Sequence, residues 1–409
     1  MGMAERLPLE GIRVLDISTF IAAPAAAVVL GDFGADVIKV EQPGEGDPNR
    51  AIVNIASYPK PSAPFEGVNY PWEMDSRNKR SIAIDLKHDA GRAALDKLIA
   101  RADVLITNFP MPVRKRLRLL YDDVAPSNPR LIFCSFTGYG EAGPDRDQAG
   151  FDSTAYFARS GILDSLRYEG QPPHFALPAQ GDRATAMSIV AGIMMALYDR
   201  ERTGRGTQVS TSLLANGLWS NGVLAQAALL GGFLANRPPR ETPRSALGNL
   251  YQTKDDRWIL LALPVEEKMW PRLCRALDAG ELLRDTRFAL PDARRANSAV
   301  LTSILDDAFA QRDCAAWQMR LVEEGLVFGI VSRMQDLQED AQAAACGAVV
   351  ATANPRMPLT IGAPFQLNSH ARKPAGPAPA LGEHTTAILR EAGFTNAEIT
   401  ELEASGALG

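Results

Sequence analysis

The sequence is poor in side chains that bind metals or cross-link a chain. Four histidines and four cysteines are scattered through 409 residues. There is no C-x-x-C and no H-x-x-x-H, so the ligand spacing of a zinc site is missing. Cys134, Cys274, Cys314 and Cys346 read as buried apolar residues of a reducing compartment rather than a disulfide framework. A basic excess is lacking too. With 43 Lys and Arg against 48 Asp and Glu, the formal net charge is −5. That argues against nucleic acid or a membrane surface as a partner, since either needs a basic face. At the N-terminus, Glu5 and Arg6 interrupt what would have to be the apolar core of a signal peptide. The expected location is the cytoplasm.

Charge itself is absent from Gly206 to Asn236, a stretch long enough to span a bilayer. Asn216, Ser220, Asn221, Gln226 and several glycines interrupt it, and no polybasic flank follows. The expectation is soluble helices buried against another domain or subunit. Also missing are a P-loop, a G-x-S-x-G elbow and, after the first apolar run, the G-x-G-x-x-G of dinucleotide-binding proteins. Glu41 could hold a ribose, but without those glycines it reads as a surface carboxylate.

What is present is alternation. Strands are expected in "GIRVLDIS" (11–18), "ADVIKVE" (35–41), "RSIAIDLK" (80–87), "DVLITNF" (103–109) and "PRLIFCSFTGYG" (129–140). Helices are expected at 24–34 and 89–102. Strands separated by helices of this length indicate βαβ units and a parallel sheet. The fold class is therefore α/β, with a Rossmann-like large domain and a smaller α+β domain. The large domain's N-terminal part is expected over 1–225, the small domain over 226–325, and a return to the large domain with C-terminal helices over 326–409. "LYQTKDDRWILLALP" (250–264) reads as a hairpin with Asp255 and Asp256 in the turn, and Trp270 and Trp317 as core anchors.

The candidate chemistry centres on "AQGDRATAMSIVAGIMMAL" (179–197), where Asp182 precedes a helical run expected over 188–206. A Gly-Asp pair entering a helix has the form of an N-cap, and Asp152 in "AGFDSTAYFARSG" has the same form. The same position suits a nucleophile, and the residues alone leave both readings open. Basic clusters at 76–80 and 113–120 lie near the ends of expected strands, where ligands of open α/β sheets bind. On charge pattern alone, Arg80 and Arg114 are candidates to hold phosphates.

Laid out in order, "LEGIRVLDIS", "GADVIKVEQPGEGDP", "NKRSIAIDLK", "ADVLITNF", "NPRLIFCSFTGYGEAGP", "GFDSTAYFARSG", "QGD", "ALYDRERTGRGTQVSTSLL", "TIGAPF" and "LGEHT" resemble the class III CoA-transferases nearly end to end. That group also includes carnitine CoA-transferase, formyl-CoA transferase and α-methylacyl-CoA racemase. "FIAAPAA" and "GFDSTAYFARSG" are most similar to the branch of cinnamoyl-CoA:phenyllactate CoA-transferases. The resemblance implies a CoA-transferase moving CoA from an acyl-CoA to a free carboxylic acid, with Asp182 as nucleophile and an aspartyl-CoA thioester as intermediate. An aspartate of ordinary pKa would be ionised for this at neutral pH without a base. By matching motif positions, Ile84, Asp85 and Lys87 would lie against the adenine of CoA, with Asn108 and Phe109 nearby. Arg116 would lie near its phosphates, and Phe20, Ile21 and Ala22 beside the pantetheine.

The resemblance further implies an interlocked homodimer, with CoA as substrate and neither metal nor redox cofactor. Racemases of the group carry a histidine where Phe151 stands, and phenylalanine cannot move a proton. Formyl-CoA transferases carry a glutamine where Ile21 stands. Ile21, Tyr156 and Phe157 point to a roomier, apolar acyl pocket. The alternatives are an acyl-CoA racemase or epimerase acting at the α-carbon, and a CoA-binding homologue without catalysis.

Overall fold

A computed structural model of the chain describes residues 6–55 and 58–409. The N-terminal stretch that holds Glu5 lies outside them. The chain divides into two compact units. The larger contains residues up to Leu163, Phe175–Gly232 and Ala341–Gly409, and the smaller contains Asp164–His174 and Phe233–Asp340. The sequence reading put these breaks at 225/226 and 325/326.

Six parallel strands form the sheet of the larger unit: β1 (Arg13–Ile17), β2 (Asp36–Glu41), β3 (Lys79–Ala83), β4 (Val104–Thr107), β5 (Ile132–Thr137) and β6 (Gln208–Ser212). Their order is β3-β2-β1-β4-β5-β6. Val14, Leu15, Val104, Leu105, Ile132 and Phe133 are all fully buried, because helices cover both faces of a parallel sheet. On one face lie the helices Ala22–Asp32 and Gln180–Thr203. The first, AAPAAAVVLGD, is buried over its whole length, as an alanine-rich helix without a polar stripe must be. On the other face, the helix Asp89–Ile99 packs with the C-terminal pair Thr385–Glu391 and Asn396–Ala404.

The smaller unit is built on an antiparallel sheet of β7 (Leu250–Gln252), β8 (Trp258–Leu261) and β9 (Phe328–Ile330). Asp256 has φ +55° in the β7–β8 turn. Trp270 and Trp317 lie in this unit's core, as expected. Pairing of β9 with β8 keeps the chain in this unit beyond residue 325.

The charge-free segment contains β6 and two short helices, Leu213–Ser220 and Gly222–Leu229. Leu213 is buried, but several of its large apolar side chains face outward, Trp219 and Val223 both being 86% exposed. No helix among the described residues is long and apolar enough to cross a membrane. Two readings need correction. Glu41 is buried, held by Arg50 through two hydrogen bonds of 2.7 and 2.8 Å and by Ser81. Cys346 is exposed, whereas the other three cysteines are buried.

Candidate active site

In the order 3-2-1-4-5-6 the chain leaves β1 and β4 towards opposite edges of the sheet. A crevice therefore opens beyond their carboxyl ends, where ligands of such sheets bind. A cavity of about 460 Å³ occupies that place. Thr19–Ala22 line it after β1, Asn108 and Pro110 after β4, Phe136–Gly138 at the end of β5, and Leu213 after β6. Ile52, Ile55 and Tyr58 close one wall, and Phe151, Asp152 and Asp182 another.

Asp182 is not the helix cap. The helix starts at Gln180, earlier than the apolar run indicated, with Ala179 as the residue before it and Asp182 as its third residue. The N-terminus of a 24-residue helix is a favourable place for a carboxylate. Gly181 is needed because a Cβ there would come within 2.6 Å of the Tyr156 ring. Ala179 (φ +68°) and Phe20 (φ +64°) both line the cavity in the left-handed region, where a side chain is strained. Such strain persists only where surrounding contacts over-determine it, and it clusters at functional sites.

Three carboxylates converge on this point. Asp152 begins a helical turn beside the cavity, and its Oδ1 accepts the N–H of Ser153 at 2.7 Å. The N–H groups of Ala179 and Gly181 also help to hold its charge, although burial raises its pKa overall. Asp75 is 1% exposed and pairs with Arg183 at 2.6 Å. Burial first, then repulsion from Asp152 and Asp75, outweighs the attraction of Arg183 and pushes the Asp182 carboxyl up to about 7. This corrects the expectation of an ordinary, fully ionised aspartate. Tyr58 feels the same field, its hydroxyl being pushed to about 12 by burial and by Asp75, Asp182 and Asp152.

The remaining candidates fall into groups. Phe20, Ile21, Ala22 and Asn108 line the cavity with Asp182. Both ends of the Asn108 amide are used on the Thr19 backbone, accepting its N–H at 2.9 Å and donating to its carbonyl at 2.7 Å. Phe20 meets Phe151 edge to face, with ring centres 6.0 Å apart. Ile84, Asp85 and Lys87 follow β3, away from the cavity wall. Ile84 is fully buried and bridges to Leu408, Asp85 accepts the Lys87 N–H at 2.9 Å, and Lys87 is exposed. Phe109 packs partly buried on the core, and Arg116 is exposed.

Two arginines are already engaged within the protein. Arg80 pairs with Asp36 at 2.7 Å and Glu391 at 2.8 Å, and Arg114 is buried against Glu141 and the Phe109 carbonyl. Tyr156 and Phe157 are buried in the core and do not line the cavity, unlike Ile21. Among the described residues, no group of three His, Cys, Asp or Glu could hold a metal ion.

Sequence reasoning missed a buried ionic network under the Phe20 loop. Lys39 pairs with Asp47 at 2.7 Å and Asp16 at 3.6 Å, and Lys79 pairs with Asp16 at 2.8 Å, all with buried side chains. Asp47 Oδ1 then accepts the Phe20 N–H at 3.1 Å and holds that strained residue over the cavity. Lysines inside two strands of a buried sheet were a signal that could have revealed the network.

The site is thus a carboxylate on the first turn of a helix, beside two further carboxylates, at the switch-point cavity of a parallel sheet that lacks the dinucleotide glycines. The chain matches the model of CoA-transferase family III over residues 9–385, and it belongs to that family. It is 32% identical to (R)-2-hydroxy-4-methylpentanoate CoA-transferase of Clostridioides difficile over 97% of this chain and 98% of that one. It is also 32% identical to cinnamoyl-CoA:phenyllactate CoA-transferase of Clostridium sporogenes, over 96% and 95%. The crystal structure of a CaiB/BaiF family protein from Brucella suis superimposes with a TM-score of 0.82 at 30% identity, covering 95% of this chain and all of that one. The protein is a family III CoA-transferase.

Proposed function

We propose that the protein moves CoA from an acyl-CoA to a free carboxylic acid through Asp182. The observation that carries this reading is the Asp182 carboxylate, set on the first turn of a helix and facing the cavity at the sheet's switch point. The carboxylate oxygen attacks the thioester carbon, and the tetrahedral intermediate expels CoA thiolate, leaving a mixed anhydride. The thiolate attacks the aspartyl carbonyl, releasing the first acid as its carboxylate and forming an aspartyl-CoA thioester. The acceptor carboxylate attacks that thioester and expels the thiolate, which then takes the new acyl group and frees Asp182. No net proton is consumed, and the energy of the thioester is conserved at each step.

The local electrostatics support this course. A carboxylate with its pKa near 7 is a stronger nucleophile than an ordinary one, while a large fraction stays ionised at neutral pH. Isoleucine and phenylalanine side chains make up part of the wall around the reacting carboxylate, where an anhydride would form. CoA would run from the cavity past Phe20, Ile21 and Ala22 towards the ends of β3 and β4, where the exposed Lys87 and Arg116 could meet its polar end. The exposed apolar side chains Met195, Tyr198, Trp219, Val223 and Leu229 support a homodimer.

Acid release without an acceptor tests the reading. Mixed with acyl-CoA alone, the enzyme should release about one equivalent of free acid per active site in a burst, with no matching free thiol, because CoA stays on the protein. A burst of acid with an equal amount of free CoA would mean simple hydrolysis and would overturn it.

A further inference from the structure

We propose that the cavity selects acyl chains that end in an apolar group and rejects those that end in a second carboxylate. This rests on the reading that Asp182 exchanges the acyl group, and it names the class of acid exchanged.

Once the acyl group is a thioester or anhydride, its reacting end is neutral, so only its distal end carries charge into the cavity. That distal end meets two kinds of wall. Ile21, Ile52, Ile55, Phe136 and Phe151 supply apolar surface. Asp152 and Asp182 supply negative charge, and the buried Asp75 adds to the field at Asp182. Among the described lining residues the one cation is Arg146, which pairs with Asp147 at 3.3 Å and is half-exposed. Arg183, the residue after Asp182, is taken by Asp75 at 2.6 Å. Tyr58 adds a neutral hydroxyl, which stays protonated at any working pH.

The site's own nucleophile reports on this field. Burial and its carboxylate neighbours push the Asp182 carboxyl up to about 7, and the same surroundings disfavour another negative charge brought beside it. A distal carboxylate would meet the same burial and the same neighbours at somewhat longer range. Burial beside like charges commonly shifts a carboxylate by about two pKa units, which corresponds to a discrimination of about 100-fold. An isopropyl group has the shape of a carboxylate without its charge, so it fills the same space and gains from the isoleucine wall.

The experiment uses two isosteric pairs of donors with the wild-type enzyme at pH 8: 4-methylpentanoyl-CoA against succinyl-CoA, and 5-methylhexanoyl-CoA against glutaryl-CoA. The readout is the second-order rate constant of the acid burst with each donor, measured without an acceptor. The branched member of each pair should be favoured about 100-fold, and the gap should shrink as pH falls through about 5, where the distal carboxyl gains a proton. Equal rates within tenfold in both pairs, or a gap that pH does not change, would overturn the proposal. Acid release without matching free CoA from any one of the four shows the Asp182 chemistry at work, so a flat panel overturns the specificity alone. Silence from all four overturns the specificity, because the branched donors should react, while the Asp182 reading stands or falls on the acid burst with a donor that does turn over.

Discussion

Replacing Asp182 by asparagine is expected to abolish CoA transfer and, at pH 8, to leave a more stable protein than the wild type. The loss should reach about 10⁴-fold or more, since an amide cannot form the anhydride and no neighbouring group takes its place. Asp152 is bound up with the N–H of Ser153, and Asp75 with Arg183. The stability gain follows from linkage. Asp182 has its pKa raised from 3.8 to about 7, so between those values the folded state binds more protons than the unfolded state. Stability is therefore lost as pH rises through that window, by roughly 2–4 kcal/mol above pH 7 at about 1.4 kcal/mol per unit.

Asparagine removes that cost, so the variant should gain at pH 8 and match the wild type near pH 4. Denaturant titrations at the two pH values measure the difference, and equal stability at pH 8 would contradict it. The wild-type enzyme should carry the same signature in its rate. Because the ionised form attacks, kcat/KM should fall about tenfold per unit below pH 7 and level off above it.

Lys39→Met should be the most damaging change outside the cavity. Lys39 is fully buried, and its pKa is raised because Asp16 and Asp47 overcome the burial that disfavours its charge. Removing the ammonium leaves Asp47 buried without its cation and Asp16 with Lys79 alone. Breaking a buried pair in this way costs about 3–5 kcal/mol, because the remaining charge is uncompensated. Function should suffer as well, since Asp47 holds the strained Phe20 N–H above the cavity. In folded variant protein, KM for acyl-CoA should rise more than kcat falls, as expected when a binding loop loosens. Arg287→Met, which removes an exposed pair with Asp285, should leave the denaturation midpoint unchanged. A Lys39→Met midpoint equal to that control would show that the network does not hold the fold.

The alternating half of the chain was legible because burial on both faces of a parallel sheet leaves long apolar runs. β1, β2, β4 and β5 fall inside the segments expected for them, and the helix Asp89–Ile99 falls inside 89–102. β6 was not legible: QVSTS has no apolar run and pairs with β5 at the sheet's edge. The helix carrying Asp182 begins eight residues before its apolar pattern, since QGDRATAM is polar on the side that faces the cavity. Apolar composition did not show whether Tyr156 and Phe157 pack inward or line a pocket, and they pack inward.

The site itself was legible only in part. Asp182 could be singled out as a candidate, but its field could not. Asp75 and Asp152 are 107 and 30 residues away, and no local pattern announces that the fold brings them together. The partners of the arginines were hidden for the same reason: Arg80 lies at the amino end of β3 and Arg114 in the helical turn after β4, and Glu391 and Glu141 reach them from elsewhere in the chain.

Intact-protein mass spectrometry after brief mixing with acyl-CoA, followed by peptide mapping, is the most direct test of the aspartyl thioester. The account predicts a mass increase equal to CoA less water, located on Asp182 and removed by hydroxylamine or by an acceptor acid. An enzyme that turns over with Asp182 unmodified, or with CoA on another side chain, would contradict it.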